Sequence, residues 1–342
     1  MEAKAWAAFD AKSPMRPFQF ERREPGERDV ALDILFCGIC HSDLHQVRNE
    51  WAGTRYPLVP GHEIVGRVTK TGPGVTKVKP GETVGVGCFI GSCGQCDACR
   101  RGLENYCERG PLPTYNGVDE RGQPTYGGYS NHIVVDEKFV LRVQARERLE
   151  AVAPLLCAGI TTWSPLRRWK VGKGHRLAVL GLGGLGHMAV KLGAALGAEV
   201  TLFSSSPSKS KDAQRLGAHD FVLTGEARKL GPRFDFILDT VSAPHDLNAL
   251  ASTLRLDGTL IMLGASPVPM PLQPFSLIMK RRSIAGSLVG GIPETQEVLD
   301  FCAGKGITAD VETIPAKDID RAYDRMLKGD VRYRFSIDVS TI

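Results

Sequence analysis

The segment from Leu177 to Leu196 constrains the fold more than any other part of this chain. Leu177-Ala178-Val179-Leu180 reads as a short buried strand, and it runs directly into Gly181-Leu182-Gly183-Gly184-Leu185-Gly186. From His187 onward the apolar residues recur at helical spacing. Strand, glycine-rich turn and helix in that order open a parallel βαβ unit. The first glycine makes the tight turn, the second lets the backbone approach a pyrophosphate, and the third lets helix and strand pack closely. The diphosphate then sits at the helix N-terminus, where unpaired N–H groups and the helix dipole favour it. Without its flanking elements the same glycine pattern would be only a flexible turn in another α/β unit.

The next strand, Glu199 to Phe203, ends at Ser204-Ser205-Ser206-Pro207-Ser208-Lys209. A unit built for NAD places an Asp or Glu at this strand end to accept hydrogen bonds from the ribose. Serine stands there instead, and Glu199 lies at the opposite end of the strand. Hydroxyls from Ser204, Ser205 and Ser206 together with the Lys209 cation suit a 2′-phosphate, which favours NADP; a serine run is also a common polar turn. Further apolar segments at Phe234–Leu238, Gly258–Gly264 and Ser283–Val289 continue the rhythm. They predict a doubly wound sheet over residues 150–288. Residues 1–149 are rich in short β segments and glycine turns. Residues 289–342 carry helical patterns at Thr295–Cys302 and Asp318–Leu327 and a strand pattern at Tyr333–Val339. That tail is too small to fold alone, so it is expected to return to the first domain.

Nine cysteines are present: Cys37, Cys40, Cys88, Cys93, Cys96, Cys99, Cys107, Cys157 and Cys302. An odd number with no signal segment argues against a disulfide framework. Cys37, Cys88 and Cys302 read as small core residues. Cys93, Cys96 and Cys99 fall at strict intervals of three, and Cys107 follows shortly after. Four thiolates can close a tetrahedral zinc site with metal–sulfur distances of about 2.3 Å. Gly91, Gly94 and Gly102 give the loop room to wrap the ion, and the segment has no apolar period that would order it otherwise. Such a site is full, hence structural. Cys40, His62 and Cys157 lie in three further motifs, each of which taken alone is more often structural than ligating.

Composition excludes other classes. Lys and Arg number 43 against 38 Asp and Glu, a net charge of +5, too slight to imply a nucleic-acid or membrane partner. Met1 to Asp10 has no apolar signal core, and no run approaches the roughly 18 residues of a membrane span. A cytoplasmic location is the expectation.

With these residues in view the chain resembles the zinc-dependent medium-chain alcohol dehydrogenases, within them the cinnamyl alcohol dehydrogenase branch, and there most of all its bacterial NADPH-dependent aldehyde reductases. The resemblance covers the whole chain. It rests on Gly38-Ile-Cys-His-Ser-Asp-Leu-His45, Pro60-Gly-His-Glu-Ile-Val-Gly66, the Cys93 to Cys107 knuckle and Leu156-Cys-Ala-Gly-Ile-Thr161. The glycine turn, the Ser204 to Lys209 turn and Lys280-Arg-Arg-Ser-Ile-Ala-Gly-Ser287 complete it. It implies an α/β protein with a GroES-like, mainly β catalytic domain (1–149 and 289–342) and a doubly wound Rossmann cofactor domain (150–288). Two zinc ions per chain are implied. Cys40, His62 and Cys157 match the catalytic ligands, with Glu63 as the carboxylate behind the metal and an occasional ligand. Asp43 matches the acid that orients the zinc-bound imidazole. Ser42 matches the hydroxyl that meets the reacting oxygen, and His45 the base at the solvent end of a proton relay through the nicotinamide ribose. His41 and Arg334 occupy places near the phosphates, Thr161 one near the nicotinamide, and Trp51 one that lines the substrate pocket. The glycine turn, with Leu182 and Leu185 between its glycines, holds the dinucleotide.

The activity so implied is reversible, zinc-dependent reduction of aliphatic and aromatic aldehydes to primary alcohols with NADPH. A polyol or secondary-alcohol dehydrogenase of the same fold is the nearest alternative, and a zinc-stabilised dinucleotide-sensing protein the remote one. Relatives commonly form homodimers through the cofactor domain.

Overall fold

The computed structural model describes all residues from 1 to 342. They fall into two compact units, Met1–Cys157 with Gly290–Ile342, and Ala158–Val289.

The first unit is built on a seven-stranded sheet. Its path runs Val311–Pro315, Arg334–Asp338, Asp29–Ile39, Ile64–Thr71, Thr83–Val86 and Leu141–Arg142, and His132–Asp136 also pairs with Asp29–Ile39. The central strand buries Val30, Ala31, Leu32 and Ile34 and exposes only Asp33, as a strand covered on most of both faces does. The tail belongs to this sheet. Phe335 pairs with Ile39 and Ile337 with Cys37 in antiparallel register. Ile319–Leu327 forms a helix that buries Ile319, Ala322, Tyr323 and Met326 on the same core, the spacing of one helical face. The helix expected from Thr295 starts earlier, at Ile292. Pro293 lies in its first turn, where the missing N–H has no intrahelical acceptor to lose.

The first unit also reaches past residue 149. Leu149–Val152 and the turn Ala153–Leu156 pack with it, and the Ala309 N–H donates to the Ala151 carbonyl at 3.0 Å. This carries Cys157 into the same unit as Cys40 and His62.

The second unit holds a six-stranded sheet in the order Asp220–Leu223, Glu199–Ser204, Arg176–Leu180, Phe234–Asp239, Leu254–Met262, Ser283–Gly286. All neighbours are parallel. Strand order reverses between Arg176–Leu180 and Phe234–Asp239, the switch point at which such sheets bind ligands. Gly181 adopts φ +89 there, and a Cβ on it would press Val241 Cγ2 at 2.7 Å. A Cβ on Gly186 would collide with the Gly181 carbonyl, whereas one on Gly183 would meet nothing within 4 Å. The turn is thus closed on its protein side and open at its middle glycine. No single helix in the chain is long and apolar enough to cross a membrane.

Candidate active site

Local chemistry shapes the four-cysteine knuckle. The Gln95 and Cys96 N–H groups donate to Cys93 Sγ at 3.5 and 3.4 Å, and the Cys93 N–H to Cys107 Sγ at 3.4 Å. Cys96 caps the short helix Asp97–Arg100 by accepting from the Cys99 N–H. The backbone donors hold the Cys93 thiol down to about 6, since hydrogen bonds to the thiolate favour the charged form. All four ligand atoms lie within 4.8 Å of one another.

A second group, Cys40, His62, Glu63 and Cys157, meets the same distance and is buried throughout. Cys40 closes the strand Asp29–Ile39 and opens the helix His41–Val47. Asp43 fixes that junction, its carboxylate reaching back to the Cys40 N–H at 2.8 Å as an acidic residue in the first turn does. The other oxygen of Asp43 accepts from the Gly61 N–H at 3.1 Å and faces His62 Nδ1 at 3.2 Å. That contact fixes the tautomer and leaves Nε2 for the thiols. Cys40 Sγ and Cys157 Sγ stand 3.9 Å apart. The hydrogen bond from Cys157 holds Cys40 well below the ordinary thiol range and Cys157 well above it.

Glu63 is fully buried, and one of its oxygens pairs with Arg334 while Oε2 has no partner. Burial pushes its carboxyl up to about 7 against the pull of the Arg334 cation. Gly38 lies directly behind, where any Cβ would overlap Glu63 Oε2. Arg334, expected near the phosphates, pairs here with Glu63 and keeps its Nε without a partner. It is 4% exposed, and its guanidinium is held by Glu63 because a cation this deep needs a partner.

Ser42 and His45 stand one turn apart on the helix His41–Val47, hence on one face. The Ser42 hydroxyl lies 3.7 Å from Cys40 Sγ. His45 Nδ1 contacts Glu50 Oε2 at 2.5 Å, and its ring lies 4.9 Å from that of Trp51, which is 52% exposed. His41 is exposed, its ring 6.3 Å from that of His45.

In the second unit, Thr161 is buried within the helix Ala158–Arg168. Lys209 Nζ donates to the Leu182 carbonyl at 2.9 Å, which joins the serine turn to the glycine turn. Ser204 differs from expectation. It is buried, and its hydroxyl accepts from the Ser206 N–H at 3.2 Å, bracing the turn from within. Ser205 is exposed, and the Ser206 and Ser208 hydroxyls are bonded to each other at 2.8 Å.

Sequence reading missed several neighbours. The Cys88 thiol lies next to the cluster, donating to the Leu156 carbonyl at 3.7 Å. The Tyr115 ring stacks 5.7 Å from that of His62. Glu50 is tied to His45, and Tyr129 to Asp43. Only Glu50 left a trace, an acid five residues after a histidine at a helix end.

The donor sets fit two different roles for zinc. Four thiolates leave no free position, while two thiolates and one imidazole leave one for water or substrate. The unpartnered Glu63 Oε2 beside the second set is a buried oxygen that a cation would satisfy. The open middle of the glycine turn likewise fits a diphosphate.

A switch-point sheet with such a turn, joined in one chain to a β unit carrying a three-donor metal set, defines a metal-dependent dehydrogenase as a class. Comparison agrees. Residues 26–145 match the profile described as an alcohol dehydrogenase GroES-like domain, and residues 184–304 that of a zinc-binding dehydrogenase. The chain is 54% identical to aldehyde reductase YahK of Escherichia coli, over 100% of this chain and 99% of that one. It is 53% identical to NADP-dependent alcohol dehydrogenase C of Mycobacterium tuberculosis, over 99% of each. Among solved structures, a cinnamyl alcohol dehydrogenase of Sorghum bicolor superposes with TM-score 0.96 at 45% identity, covering 99% of this chain and 98% of that one. The enzyme from Helicobacter pylori, described as complexed with NADP(H), gives 0.94 at 42%, covering 99% of each. The protein belongs to the zinc-binding alcohol dehydrogenase family.

Proposed function

We propose that this protein catalyses the reversible, NADPH-linked reduction of aliphatic and aromatic aldehydes to primary alcohols. The observation that carries the reading is the set Cys40, His62 and Cys157 with Ser42 at its edge and His45 on the same helix face. Relatives named as an aldehyde reductase and an NADP-dependent alcohol dehydrogenase, at 54% and 53% identity, support it.

Cys40, His62 and Cys157 would hold a zinc ion, which would supply a Lewis acid for the aldehyde oxygen. NADPH supplies the hydride. The chain's own residues do the rest. Asp43 holds the His62 ring and tautomer. Ser42 hands its hydroxyl proton to the substrate oxygen as negative charge develops there, and His45 returns a proton from solvent. Glu50 orients His45 through Nδ1, and the Trp51 ring packs beside His45 as an apolar wall. Ser205, Ser206 and Lys209 would hold the 2′-phosphate, and the N–H groups around Gly183, where a Cβ would meet nothing within 4 Å, would take the diphosphate. Cys93, Cys96, Cys99 and Cys107 hold a second, structural zinc.

The test is NADPH oxidation across aliphatic, aromatic and unsaturated aldehydes, run beside NADH. Absence of turnover with all three classes refutes the activity, and equal efficiency with NADH refutes the cofactor reading.

We place the enzyme in the cytoplasm, where reduced thiols persist; all nine cysteines are free. We further propose a homodimer through the second unit. Ser283–Gly286 is an edge strand, and Phe275, Ile278 and Ile284 are exposed with Met279, itself 71% exposed. Exposed edges and apolar patches of this kind invite pairing. A monomer by light scattering at micromolar concentration would overturn it.

A further inference from the structure

Tyr129 and Tyr323 lie beneath the His62 loop, and Tyr129 reaches the acid that orients His62. Tyr129 is fully buried, and its hydroxyl donates to Asp43 Oδ2 at 3.3 Å. The same residue grips the loop through the main chain. Its N–H donates to the Pro60 carbonyl at 3.0 Å, with Gly128 to Gly61 at 2.9 Å and Gly127 to Val59 at 2.8 Å. Gly61, at φ +104, has no side chain because a Cβ would press Tyr129 Cδ1 at 2.7 Å. The Tyr129 ring is therefore the floor on which the residue before His62 rests. Behind it, the hydroxyl of Tyr323, on the helix Ile319–Leu327, donates to the Tyr129 hydroxyl at 3.5 Å.

These contacts form one directed chain. Tyr323 donates to Tyr129, Tyr129 donates to Asp43, and Asp43 accepts from His62 Nδ1. A phenol has a single proton, so the Tyr129 proton committed to Asp43 leaves its lone pairs for Tyr323. Asp43 Oδ2 is held from two sides, by the Cys40 N–H and by Tyr129. The Gly61 N–H and His62 Nδ1 hold Oδ1, so removing the Tyr129 hydroxyl leaves Oδ2 on the Cys40 N–H alone and loosens the plane in which the carboxylate faces the His62 ring.

We infer that Tyr129, backed by Tyr323, is a positioning residue for the metal centre. Its hydroxyl locks Asp43 so that His62 presents Nε2 to the cluster already oriented, and the metal is retained for longer. The inference rests on the reading of His62 as a ligand. Partners of this outer kind are worth about 10–100-fold in metal affinity.

The experiment follows zinc release from the zinc-loaded, full-length protein into a colorimetric chelator. Tyr129→Phe keeps the ring on Gly61 and removes only the hydroxyl. It is expected to release the cluster zinc about tenfold faster, while the zinc of Cys93 to Cys107 leaves at the wild-type rate. Cys157→Ala protein, holding only the latter ion, identifies that phase. Tyr323→Phe should accelerate the same phase less, and the double variant no more than Tyr129→Phe alone. An unchanged rate in Tyr129→Phe overturns the inference, as does equal acceleration of both phases, which would mean general loosening. Two zinc ions retained in Cys157→Ala would instead overturn the ligand reading and the inference with it.

Discussion

Asp43→Asn removes one charge and almost no volume, so its consequence follows from hydrogen-bond accounting. The carboxylate accepts from the Cys40 N–H, the Gly61 N–H, His62 Nδ1 and the Tyr129 hydroxyl, and Asp43 is fully buried. An amide offers one acceptor oxygen and one NH2 group that cannot accept. If the oxygen faces Gly61 and His62, the NH2 meets the Cys40 N–H. If the amide flips, it meets the other two donors. Tyr129 can rotate its proton away, but a main-chain N–H cannot. At least one buried donor is left unpaired at about 1–3 kcal/mol, and a charge-assisted bond worth about 1.5–3 kcal/mol is weakened. The loss is about 3–5 kcal/mol. At about 2–4 °C per kcal/mol for a unit of 150–250 residues, the first transition should fall by roughly 6–20 °C. Metal affinity should drop about 10–100-fold, because the His62 ring loses its anionic partner. Differential scanning calorimetry and zinc titration measure the two effects separately. A variant that melts within about 2 °C of wild type and titrates zinc unchanged would refute the account of Asp43 as the hub of the site.

Other substitutions divide the protein's tasks. Cys157→Ala should abolish turnover while the fold survives, whereas Cys96→Ala should chiefly lower the melting temperature; identical behaviour would collapse the distinction between open and closed zinc sites. Lys209→Ala removes the cation tied to the Leu182 carbonyl, and its NADPH-over-NADH preference should fall by about tenfold or more, the worth of one charge-assisted bond; an unchanged ratio by steady-state kinetics contradicts the assignment. In the second unit His245 Nε2 lies 2.8 Å from Asp239, and that hydrogen bond raises the imidazole above its ordinary value of 6.5. A raised folded value means that the pair's contribution is complete below about pH 6.5 and is lost as pH rises through the higher folded value. The second unit's melting temperature should therefore decline across that window, and His245→Ala should flatten the decline; a pH-independent wild-type melt would exclude it.

What was legible in the sequence is what is written locally. The glycine turn and its flanking strand and helix sit within twenty residues, and their order alone carries the parallel sheet. The knuckle is legible for the same reason, since its thiols are brought together by a loop rather than by a fold. Arg334 was not legible. A basic residue on a terminal strand gives no sign that it is buried, and its pairing with Glu63 joins segments that are distant in sequence. Ser204 misled because a hydroxyl in a polar run looks available, yet the strand Glu199–Ser204 buries it as its last residue. Cys88 was unremarkable until Leu156 and Cys157 came to lie beside it, with its thiol 3.7 Å from the Leu156 carbonyl.

The register of one strand pair accounts for why the metal set forms at all. Asp29–Ile39 and Ile64–Thr71 are antiparallel, with Cys37 opposite Ile64. The residues just beyond one strand's end must then lie beside those just before the other's start. Cys40 follows the first and His62 precedes the second, so two ligands meet as a consequence of sheet geometry, and Asp43 bonds across the gap to Gly61. Cys157 arrives by a different route, on the turn whose Leu156 packs against Gly85; a Cβ there would sit 3.0 Å from the leucine's methyl. A slip of one residue in the central pair would move every side chain to the opposite face. Asp33, the one exposed residue of the strand, between buried Leu32 and Ile34, would be driven to the covered face by such a slip, so the pattern that fills the core also fixes the spacing of the ligands.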